Sequence, residues 1–520
     1  MTSRPVDILR KIAIRQRYGP FMGNSFVAGA GNDIPVHNPA NGQILSTVTS
    51  ASVDQASEAI KLANDAFHTG VWSRTPPLQR SLVLSRLARS LEQHIPAFAE
   101  IESLQTGRTI REMRAQLGRL PEWLDYYAAL LRTQSGFVAP TQGQLLNYVT
   151  RIPLGVVVQI TPFNHPLLIA LKKIAPALAA GNSVIVKPSE QAPISVLEFA
   201  QLANEAGVPP SVLTVIPGTG EALGKTLVGH PAVKKVDITA GTKTGRAIGS
   251  LAGANLASYT AELGGKAPVV VFEDADITSA VNGVAFAAFV ASGQTCVSAT
   301  RLLVHESIYD EFMPQLVAKI EKITAGMGDP LNPQSTMGSV ISPASLDRLV
   351  AAVEGSNNKI LIGGARMTGR STLDGFDFSK GSFFAPTLIE DVGVEDPLWQ
   401  DELFGPIVVT AKFKDEKHGV ELANACKYGL GSGIWTRDLS RAHRVAAQME
   451  TGLVWVNTHH RNDPSSPWGG LKESGIGREN GIEAFESYSQ SKSVIVNVAS
   501  VEDIRENDDW FNTEAKRRYG

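Results

Sequence analysis

Cysteine is scarce in this 520-residue sequence: only Cys296 and Cys426 occur, far apart and in no CxxC or Cys/His metal spacing. This scarcity excludes a disulfide framework and a cysteine-rich zinc site, and it favours a reducing compartment. An excess of one charge is lacking too, because 48 Lys and Arg nearly balance 51 Asp and Glu and leave a formal net charge of −3. Nothing in that balance predicts a nucleic-acid partner.

Long apolar runs are also absent, and none approaches the roughly 18–20 residues that cross a bilayer. We therefore expect a cytoplasmic protein with no metal and with neither a membrane nor a nucleic-acid partner. The basic N-terminus, MTSRPVDILRKIAIRQR, leaves two interpretations open, an organelle-targeting peptide and a solvated amphipathic helix. Asp7 and the lack of a Ser-rich stretch favour the helix.

From about Arg151 onwards, short β-branched runs alternate with helical stretches. The runs are GVVVQIT, SVIVKPS, LTVIPG, KKVDITA and APVVVFE. This alternation is typical of βαβ units, and continuous apolar runs are typical of strands buried on both faces. Helical spacing is found over 54–68, 80–104 and 110–132, and the apolar segments 145–160 and 492–498 can pair as edge strands or cover another subunit. The predicted fold class is α/β with a mostly parallel sheet.

Cys296 lies in the stretch SGQTCVSATR, among small and polar neighbours. A structural thiol normally packs among bulky apolar side chains, since free cysteine behaves as a small hydrophobe. These neighbours therefore predict a thiol that a reactant can reach. Cys426 follows LANA on a predicted helix, and we expect it to be a packed core thiol.

Polar residues and glycines follow successive predicted strands, where an open α/β sheet binds its ligands. In VIVKPSE, Lys187 and Glu190 can grip a ribose, and the carboxylate accepts from a 2′-hydroxyl but repels a 2′-phosphate. Gly220 in IPGTGEALG, and Thr239 and Gly241 in ITAGTKTG, precede helix N-termini that can face a diphosphate. Each glycine pattern alone is equally typical of a structural turn, but three at successive strand ends favour a dinucleotide site.

Two further residue types suit acyl chemistry. Asn164 in TPFNHP is held between prolines, and its amide can donate to a developing oxyanion. Glu262 in TAELGGKAP precedes two glycines that let backbone pass close to a ligand. Taken alone, Glu262 is better explained as a solvated or salt-bridged carboxylate.

Taken together, these residues make the sequence resemble the aldehyde dehydrogenase superfamily over about residues 20–497. The resemblance rests on TPFNHP, KPSE, GTG, ELGGK, GQTC, ELFGP and PWGGLKESGIGRE, in the family's order and spacing. It is greatest to the NAD-dependent, non-acylating branch, which oxidises aldehydes to carboxylates. The resemblance implies that Cys296 attacks the aldehyde, that Asn164 and the Cys296 N–H hold the oxyanion, and that Glu262 activates water to release the acid from a thioester.

The resemblance also implies NAD as the cofactor and a set of residues that bind it. These are Thr161, Pro162, Phe163, Lys187, Ser189, Glu190, Gly220, Thr239, Gly241, Thr242, Leu263, Gly264, Glu402 and Phe404. The sequence departs from the family where Ala291 replaces an Asn common five residues before the nucleophile. It departs again at TAGT, where Thr-Gly-Ser is more usual. Neither departure removes a reacting group.

For the substrate, the resemblance points to the residues that line the family's tunnel, here His165, Tyr127 or its neighbour Tyr126, Thr295, Val297, Arg461 and Trp468. The loop NTHHRND is unusually polar, and a long alkyl chain buried against it would leave polar groups unpaired. We therefore expect a polar aldehyde, such as a semialdehyde whose carboxylate meets Arg461. The alternative is that Arg461 points to solvent or pairs with Asp463.

Family precedent further implies a Rossmann-like NAD-binding domain (1–133 and 153–262), an α/β catalytic domain (263–475), a small β oligomerisation element (134–152 and 476–500) and a tail (501–520). A homodimer or homotetramer follows from the C-terminal strand SKSVIVNV.

Three other functions stay open: an acylating dehydrogenase, which usually lacks the carboxylate of Glu262; a thiol hydrolase, which would need an activating histidine; and a non-catalytic protein of the same fold.

Overall fold

The computed structural model describes residues 12–507 and residue 511. The N-terminal half contains strands β1 (Arg17–Tyr18), β2 (Phe21–Met22), β3 (Ser25–Phe26), β4 (Asp33–His37), β5 (Ile44–Thr49), β6 (Phe137–Ala139), β7 (Leu145–Pro153), β8 (Val156–Ile160), β9 (Ser183–Lys187), β10 (Leu213–Val215), β11 (Val233–Thr239) and β12 (Ser258–Glu262). Its helices are α1 (Val53–Thr69), α2 (Pro77–Thr106), α3 (Ile110–Leu117), α4 (Pro121–Thr133), α5 (Pro166–Ala180), α6 (Ile194–Glu205), α7 (Gly220–Gly229) and α8 (Thr242–Ala254).

The C-terminal half contains strands β13 (Ala267–Val271), β14 (Ala299–His305), β15 (Lys359–Ile362), β16 (Thr387–Glu390), β17 (Ile407–Phe413), β18 (Tyr428–Gly429), β19 (Gly431–Trp435), β20 (Leu453–Val456), β21 (Leu471–Lys472), β22 (Gly475–Ile476) and β23 (Ser489–Asn497). Its helices are α9 (Ile277–Phe289), α10 (Glu306–Ala325), α11 (Pro343–Glu354), α12 (Pro397–Gln400), α13 (Glu416–Asn424), α14 (Leu439–Ala446), α15 (Gly481–Ser487) and α16 (Val501–Asn507).

The first large sheet has the order β22-β12-β11-β8-β9-β10-β2-β3. Its five central strands run parallel, while β22 and β2 pair antiparallel at either side. The chain moves outward from β8 through β9 to β10, then returns to the other side of β8 for β11 and β12. The order therefore reverses between β8 and β11, which is where a doubly wound sheet binds its ligand.

The second large sheet has the order β15-β16-β17-β14-β13-β19-β20 and is parallel except for β15. Strand β13 follows β12 directly, so the segment Leu263–Lys266 joins the two sheets. A third, antiparallel sheet, β23-β7-β6, pairs β7 with β23 residue for residue over nine positions. The predicted α/β fold class is confirmed, and the segments proposed as edge strands do pair with each other.

Two details differ from the sequence predictions. The helical segment 110–132 is two helices, α3 and α4, because Gly118 follows the end of α3 and Pro121 starts α4, where proline needs no N–H partner. The predicted N-terminal helix lies outside the described residues as far as residue 11. Beyond it, residues 12–16 are not helical and Arg17 begins strand β1. Most of the tail after residue 507 also lies outside the described residues.

Among residues 12–507 and 511, no helix is both long enough and apolar enough to cross a membrane. Over the same residues, no group of three or more His, Cys, Asp or Glu side chains is arranged to hold a metal ion.

Candidate active site

The loop that carries Cys296 has an unusual backbone. After helix α9 ends, Ala291, Ser292 and Gly293 take φ angles of 55°, 55° and 70°, which is left-handed conformation three times in succession. Such a conformation costs a non-glycine residue about 1–3 kcal/mol and persists only when its surroundings hold it. Gln294 supplies part of that hold, since its backbone N–H and its side-chain amide both donate to the Ala291 carbonyl, at 3.0 and 3.3 Å. The loop is therefore fixed rather than free to relax.

Cys296 itself is half-buried where the two large sheets meet. A Cβ atom added to Gly265, in the segment joining β12 to β13, would lie 2.0 Å from the Cys296 carbonyl oxygen. Only glycine permits that approach, so the ELGGK and GQTC motifs are in contact. Burial, together with the carboxyls of Glu402 and Glu262, raises the pKa of the Cys296 thiol to about 12.

Glu262 is the last residue of β12 and is buried. Neither of its carboxyl oxygens has a hydrogen-bond partner among the described residues. Burial and the nearby charge of Glu479 hold its pKa well above the usual range, although Lys172 and Lys173 oppose this. A carboxylate whose pKa is raised in this way is a stronger base than an exposed glutamate.

Asn164 follows β8 at the point where the strand order reverses, and its side chain is buried. Its Nδ2 donates to the backbone carbonyl of Gln294 at 2.8 Å, two residues before Cys296. An amide carries two hydrogens, so one N–H remains for a second acceptor beside the thiol. The Oδ1 atom has no partner within the described part of the chain, so no bond constrains the amide from that side.

An ion pair that the sequence did not reveal holds the loop of Asn164 and the loop of Cys296 in place. Arg108, which follows α2, is 3.1 Å from Glu112 in α3, and their side chains are 2% and 14% exposed. Arg108 also donates to the Asn164 carbonyl at 3.2 Å, and Glu112 accepts from the N–H of Ala291 at 3.2 Å. The stretch TGRTIRE has no feature that predicts this, because its charges resemble a solvated helix face.

A second buried network lies behind Glu262. Glu479 pairs with Lys172 at 2.6 Å and with Lys173, which also pairs with Asp237. Tyr488 donates to the same Asp237. Although burial opposes it, the two ammonium groups lower the pKa of Glu479 to about 2. These residues also escaped the sequence analysis, since nothing in their local patterns marks burial.

The predicted cofactor residues surround the strand ends. Lys187 ends β9 and is buried, and its ammonium is 3.6 Å from the half-exposed carboxylate of Glu190. The rings of Phe163 and Phe404 meet edge to face at 5.7 Å. Glu402 accepts from the Gly265 N–H at 2.9 Å, and burial raises its pKa to about 7.

The other predicted cofactor residues complete the strand-end cleft. Gly220 is the first residue of α7, Gly241 caps α8 without a side-chain hydrogen bond, and Thr242 begins α8. Thr239 donates to Glu479 at 3.4 Å. The remainder are Thr161 and Pro162 after β8, Ser189 after β9, and Leu263 and Gly264 after β12. A Cβ added to Gly264 would lie 2.5 Å from the Glu402 carboxylate.

These residues fit a nicotinamide dinucleotide. The buried hydroxyl of Thr161 has no partner inside the described structure, and no side chain caps the N-terminus of α8. A helix N-terminus of this kind suits a diphosphate, and a partly exposed carboxylate beside a buried lysine suits a ribose.

The predicted substrate residues divide into two groups. Val297 and Trp468 form a buried apolar cluster with Leu430 and Trp455, and Cys296 packs against it. His165 follows Asn164 directly and is buried, as is Thr295 beside the thiol.

The other two predicted substrate residues lie differently. Tyr127 is buried in the hydrophobic core and its hydroxyl donates to the Gly481 carbonyl at 3.2 Å. Its neighbour Tyr126 is only half-buried. Arg461 is exposed, and Asp463 pairs with Arg119 at 3.9 Å rather than with Arg461. Neither Tyr127 nor Arg461 is therefore held against the thiol in the way the sequence analysis expected.

The strand order and the strand-end residues together define a dinucleotide-binding α/β protein with a half-buried cysteine, a buried amide and a buried carboxyl at the junction of its sheets. A family model described as the aldehyde dehydrogenase family matches residues 26–494. The chain belongs to that family, whose members oxidise aldehydes to carboxylic acids with a nicotinamide cofactor. It is accordingly an oxidoreductase acting on aldehydes.

Named relatives agree with this assignment. Aldehyde dehydrogenase [NAD(P)+] 2 of Saccharomyces cerevisiae is 38% identical over 94% of this chain and 97% of that protein. Phenylacetaldehyde dehydrogenase of Pseudomonas fluorescens is 38% identical over 93% of this chain and 96% of its own length. The crystal structure of Staphylococcus aureus betaine aldehyde dehydrogenase in complex with NAD+ superposes with a TM-score of 0.89, at 34% identity, over 94% of this chain and 96% of the other.

Proposed function

We propose that Cys296 is the nucleophile of an NAD-dependent, non-acylating aldehyde dehydrogenase, with Asn164 as oxyanion donor and Glu262 as the base that activates water. The observation that carries this proposal is the free, buried carboxyl of Glu262 beside a half-buried thiol, with the Asn164 amide tied to the same loop at 2.8 Å. An acylating enzyme would not need such a carboxyl, because coenzyme A rather than water takes the acyl group.

In this mechanism the thiol of Cys296 gives its proton to solvent, and its sulfur bonds to the aldehyde carbon while the carbonyl π bond opens, giving a thiohemiacetal. The carbonyl oxygen becomes an oxyanion that the free N–H of Asn164 and the backbone N–H of Cys296 hold. NAD, held by the residues named below, would supply the hydride acceptor that the change from this adduct to a thioester requires. Glu262 then takes a proton from water, the hydroxide attacks the thioester carbon, and the carbon–sulfur bond breaks to release the acid and restore the thiol.

Glu190 and Lys187 would hold the adenine ribose, and Glu402 the nicotinamide ribose. The helix starts at Gly220 and Gly241, with Thr239 and Thr242, would face the diphosphate. Phe163 and Phe404 would pack at the nicotinamide end. The walls of the cofactor site would be completed by Thr161, Pro162, Ser189, Leu263 and Gly264. The carboxylate of Glu190 supports NAD over NADP, because a 2′-phosphate would meet its negative charge.

The first sheet would be the NAD-binding domain (1–133 and 153–262) and the second the catalytic domain (263–475). The sheet β23-β7-β6 would form the oligomerisation element (134–152 and 476–500). In support, β23 is an edge strand, and the sheet exposes large apolar side chains at Phe137, Val138, Ile495 and Val496. Such an edge is a template for strand addition, so we expect a homodimer or homotetramer. The two free cysteines support a cytoplasmic location.

The test is NADH formation at 340 nm by purified protein with NAD and a panel of aliphatic, aromatic, amino-bearing and carboxylate-bearing aldehydes. NADP and the variant Cys296→Ala serve as controls. Turnover with NAD that is abolished in the variant is the expected result. If no aldehyde reacts until coenzyme A is added, the enzyme is of the acylating type. If ester hydrolysis occurs without NADH formation, the protein is a thiol hydrolase.

A further inference from the structure

His165 occupies a special place in the site. It follows Asn164 directly and precedes the first turn of α5, so its backbone is fixed with the oxyanion loop. Its ring is buried, and the Nδ1 atom lies 2.7 Å from a guanidinium nitrogen of Arg108 and 2.9 Å from the side-chain nitrogen of Gln116. The Gln116 oxygen lies 3.1 Å from the same Nδ1 atom and accepts from Arg108 at 3.0 Å, so the guanidinium of Arg108 is the contact that fixes the role of Nδ1.

These contacts decide which ring nitrogen of His165 carries the proton. A guanidinium can only donate, so the Nδ1 atom of His165, 2.7 Å from Arg108, must be the acceptor. Burial and the nearby charge of Arg108 hold the pKa of His165 well below its usual range, which keeps the ring neutral. A neutral imidazole that accepts at Nδ1 carries its hydrogen on Nε2. The Nε2 atom of His165 is therefore a donor.

That donor has no partner. The Nε2 atom of His165 is buried and makes no hydrogen bond to any described residue. Its ring lies 6.0 Å from the ring of His460, which in turn lies 6.3 Å from Trp468, and Trp468 belongs to the cluster against which Cys296 packs. A buried donor without an acceptor is rare in folded proteins, and directly after the oxyanion residue Asn164 it is suited to a ligand atom.

The charges nearby limit what that ligand atom can be. The guanidinium of Arg108 is already paired with Glu112 at 3.1 Å, and the ammonium of Lys172 with Glu479 at 2.6 Å. A substrate carboxylate placed here would find no unpaired cation among the described residues that surround His165. A neutral oxygen, in contrast, needs only the one donor that His165 offers.

We propose that His165 is a specificity-determining residue, whose Nε2–H donates to an uncharged oxygen (hydroxyl, ether or carbonyl) carried by the substrate apart from its reacting aldehyde. This rests on the proposed function, since the substrate must be an aldehyde that reaches Cys296. The sequence analysis expected a polar substrate because a semialdehyde carboxylate could meet Arg461, but the side chain of Arg461 is exposed. In the present proposal, the donor on His165 is the reason for a polar substrate. Arg108 is the positioning residue that fixes the proton of His165 on Nε2.

The experiment compares near-isosteric aldehydes that differ in one acceptor. Methoxybenzaldehydes and ethylbenzaldehydes, each substituted at the 2-, 3- or 4-position, form one set, and 3-methoxypropanal with pentanal forms another. The ratio of kcat/KM within each pair is measured for the wild type and for His165→Phe, which keeps a flat ring without the donor. We expect the wild type to prefer the oxygen-bearing member of at least one pair, and His165→Phe to lower that preference about 10- to 100-fold.

Two further variants separate the donor from general damage. His165→Gln can accept from Arg108 through its oxygen and still present an N–H, so it should recover part of the preference. His443→Phe, an exposed histidine on α14, should leave every ratio unchanged. The wild-type ratios alone remain decisive if His165→Phe does not fold.

A wild type that oxidises aldehydes without preferring the oxygen-bearing member of any pair overturns the inference and leaves the proposed function standing. A preference that survives in His165→Phe likewise overturns the inference and leaves the proposed function standing. Formylbenzoates that are better substrates than the matching methoxybenzaldehydes would overturn the neutral class in favour of a carboxylate. No turnover with any aldehyde would instead overturn the proposed function.

Discussion

The buried ion pair between Arg108 and Glu112 offers a direct test of how this active site is held together. The pair is 3.1 Å long, and its side chains are 2% and 14% exposed, so solvent screens it little. It also connects two catalytic loops, because Arg108 contacts the Asn164 carbonyl and Glu112 accepts from the N–H of Ala291. Removing one partner should therefore disturb both stability and turnover.

Glu112→Leu leaves the guanidinium of Arg108 buried without a counter-charge. Breaking a buried pair in this way costs about 3–5 kcal/mol, and we expect the upper part of that range because Arg108 is almost completely enclosed. The double variant Arg108→Met/Glu112→Leu removes both charges and should lose much less stability than the two single variants added together. We expect a coupling energy of about 2–3 kcal/mol. The variants should also lower kcat, since the left-handed turn at Ala291 loses one of its anchors.

The assay is urea unfolding followed by tryptophan fluorescence, with kcat measured on the same preparations. The exposed pair of Arg119 and Glu122, 2.7 Å apart and 44% and 48% exposed, is the matched control. Its double-variant cycle should give less than about 1 kcal/mol, as exposed pairs do. Additive effects at Arg108 and Glu112, within about 0.5 kcal/mol, would refute the reasoning.

Three other predictions concern the reacting groups. Asn164→Ala should lower kcat about 10²–10³-fold with little change in KM for NAD, because one oxyanion donor is lost. A rise in KM for NAD as large as the fall in kcat would contradict that role. Glu262→Gln should release about one NADH per active site in a rapid burst and then turn over slowly, because the thioester is no longer hydrolysed; a steady rate without a burst would count against it. Without cofactor, Cys296 should react with iodoacetamide at a rate that still rises tenfold per pH unit through pH 10, since its thiol has a pKa of about 12 and only the thiolate reacts. Peptide mapping separates it from Cys426, and a plateau near pH 8.5 would show an unperturbed thiol.

The sequence predicted the parts of the site that lie at the ends of buried strands. Glu262 ends β12, Asn164 follows β8 and Lys187 ends β9, and the carboxyl ends of parallel strands meet at one edge of a sheet. The strands could be recognised because they are short, β-branched and apolar throughout. Cys296 could be recognised from its small neighbours in the sequence. The fold adds another small neighbour, Gly265, from a separate motif.

The supporting residues could not be predicted in the same way. Glu112, Lys173 and Asp237 are charged side chains in helices and strands, Arg108 lies between α2 and α3, and charge is normally a sign of exposure. Their burial follows from the packing of α2 and α3 against α5 and of α15 against α5, which depends on contacts between residues far apart in the chain. The burial of Tyr127 in the core escaped prediction for a related reason, since spacing alone does not distinguish a helix face that packs into the core from one that borders a cleft.

Ala291, where the sequence departs from the family pattern, connects the predicted site residues with the supporting residues that could not be predicted. Where the family commonly has Asn five residues before the nucleophile, this chain has a methyl group that cannot make a side-chain hydrogen bond. The structure shows that the backbone here is nevertheless held, because Glu112 accepts from the Ala291 N–H at 3.2 Å and Gln294 donates to its carbonyl at 3.0 Å. Glu112 can be buried there only because Arg108 neutralises it. The replacement at Ala291 and the ion pair whose Glu112 lies 179 residues earlier are therefore two parts of one arrangement, and the motif alone shows only the loss.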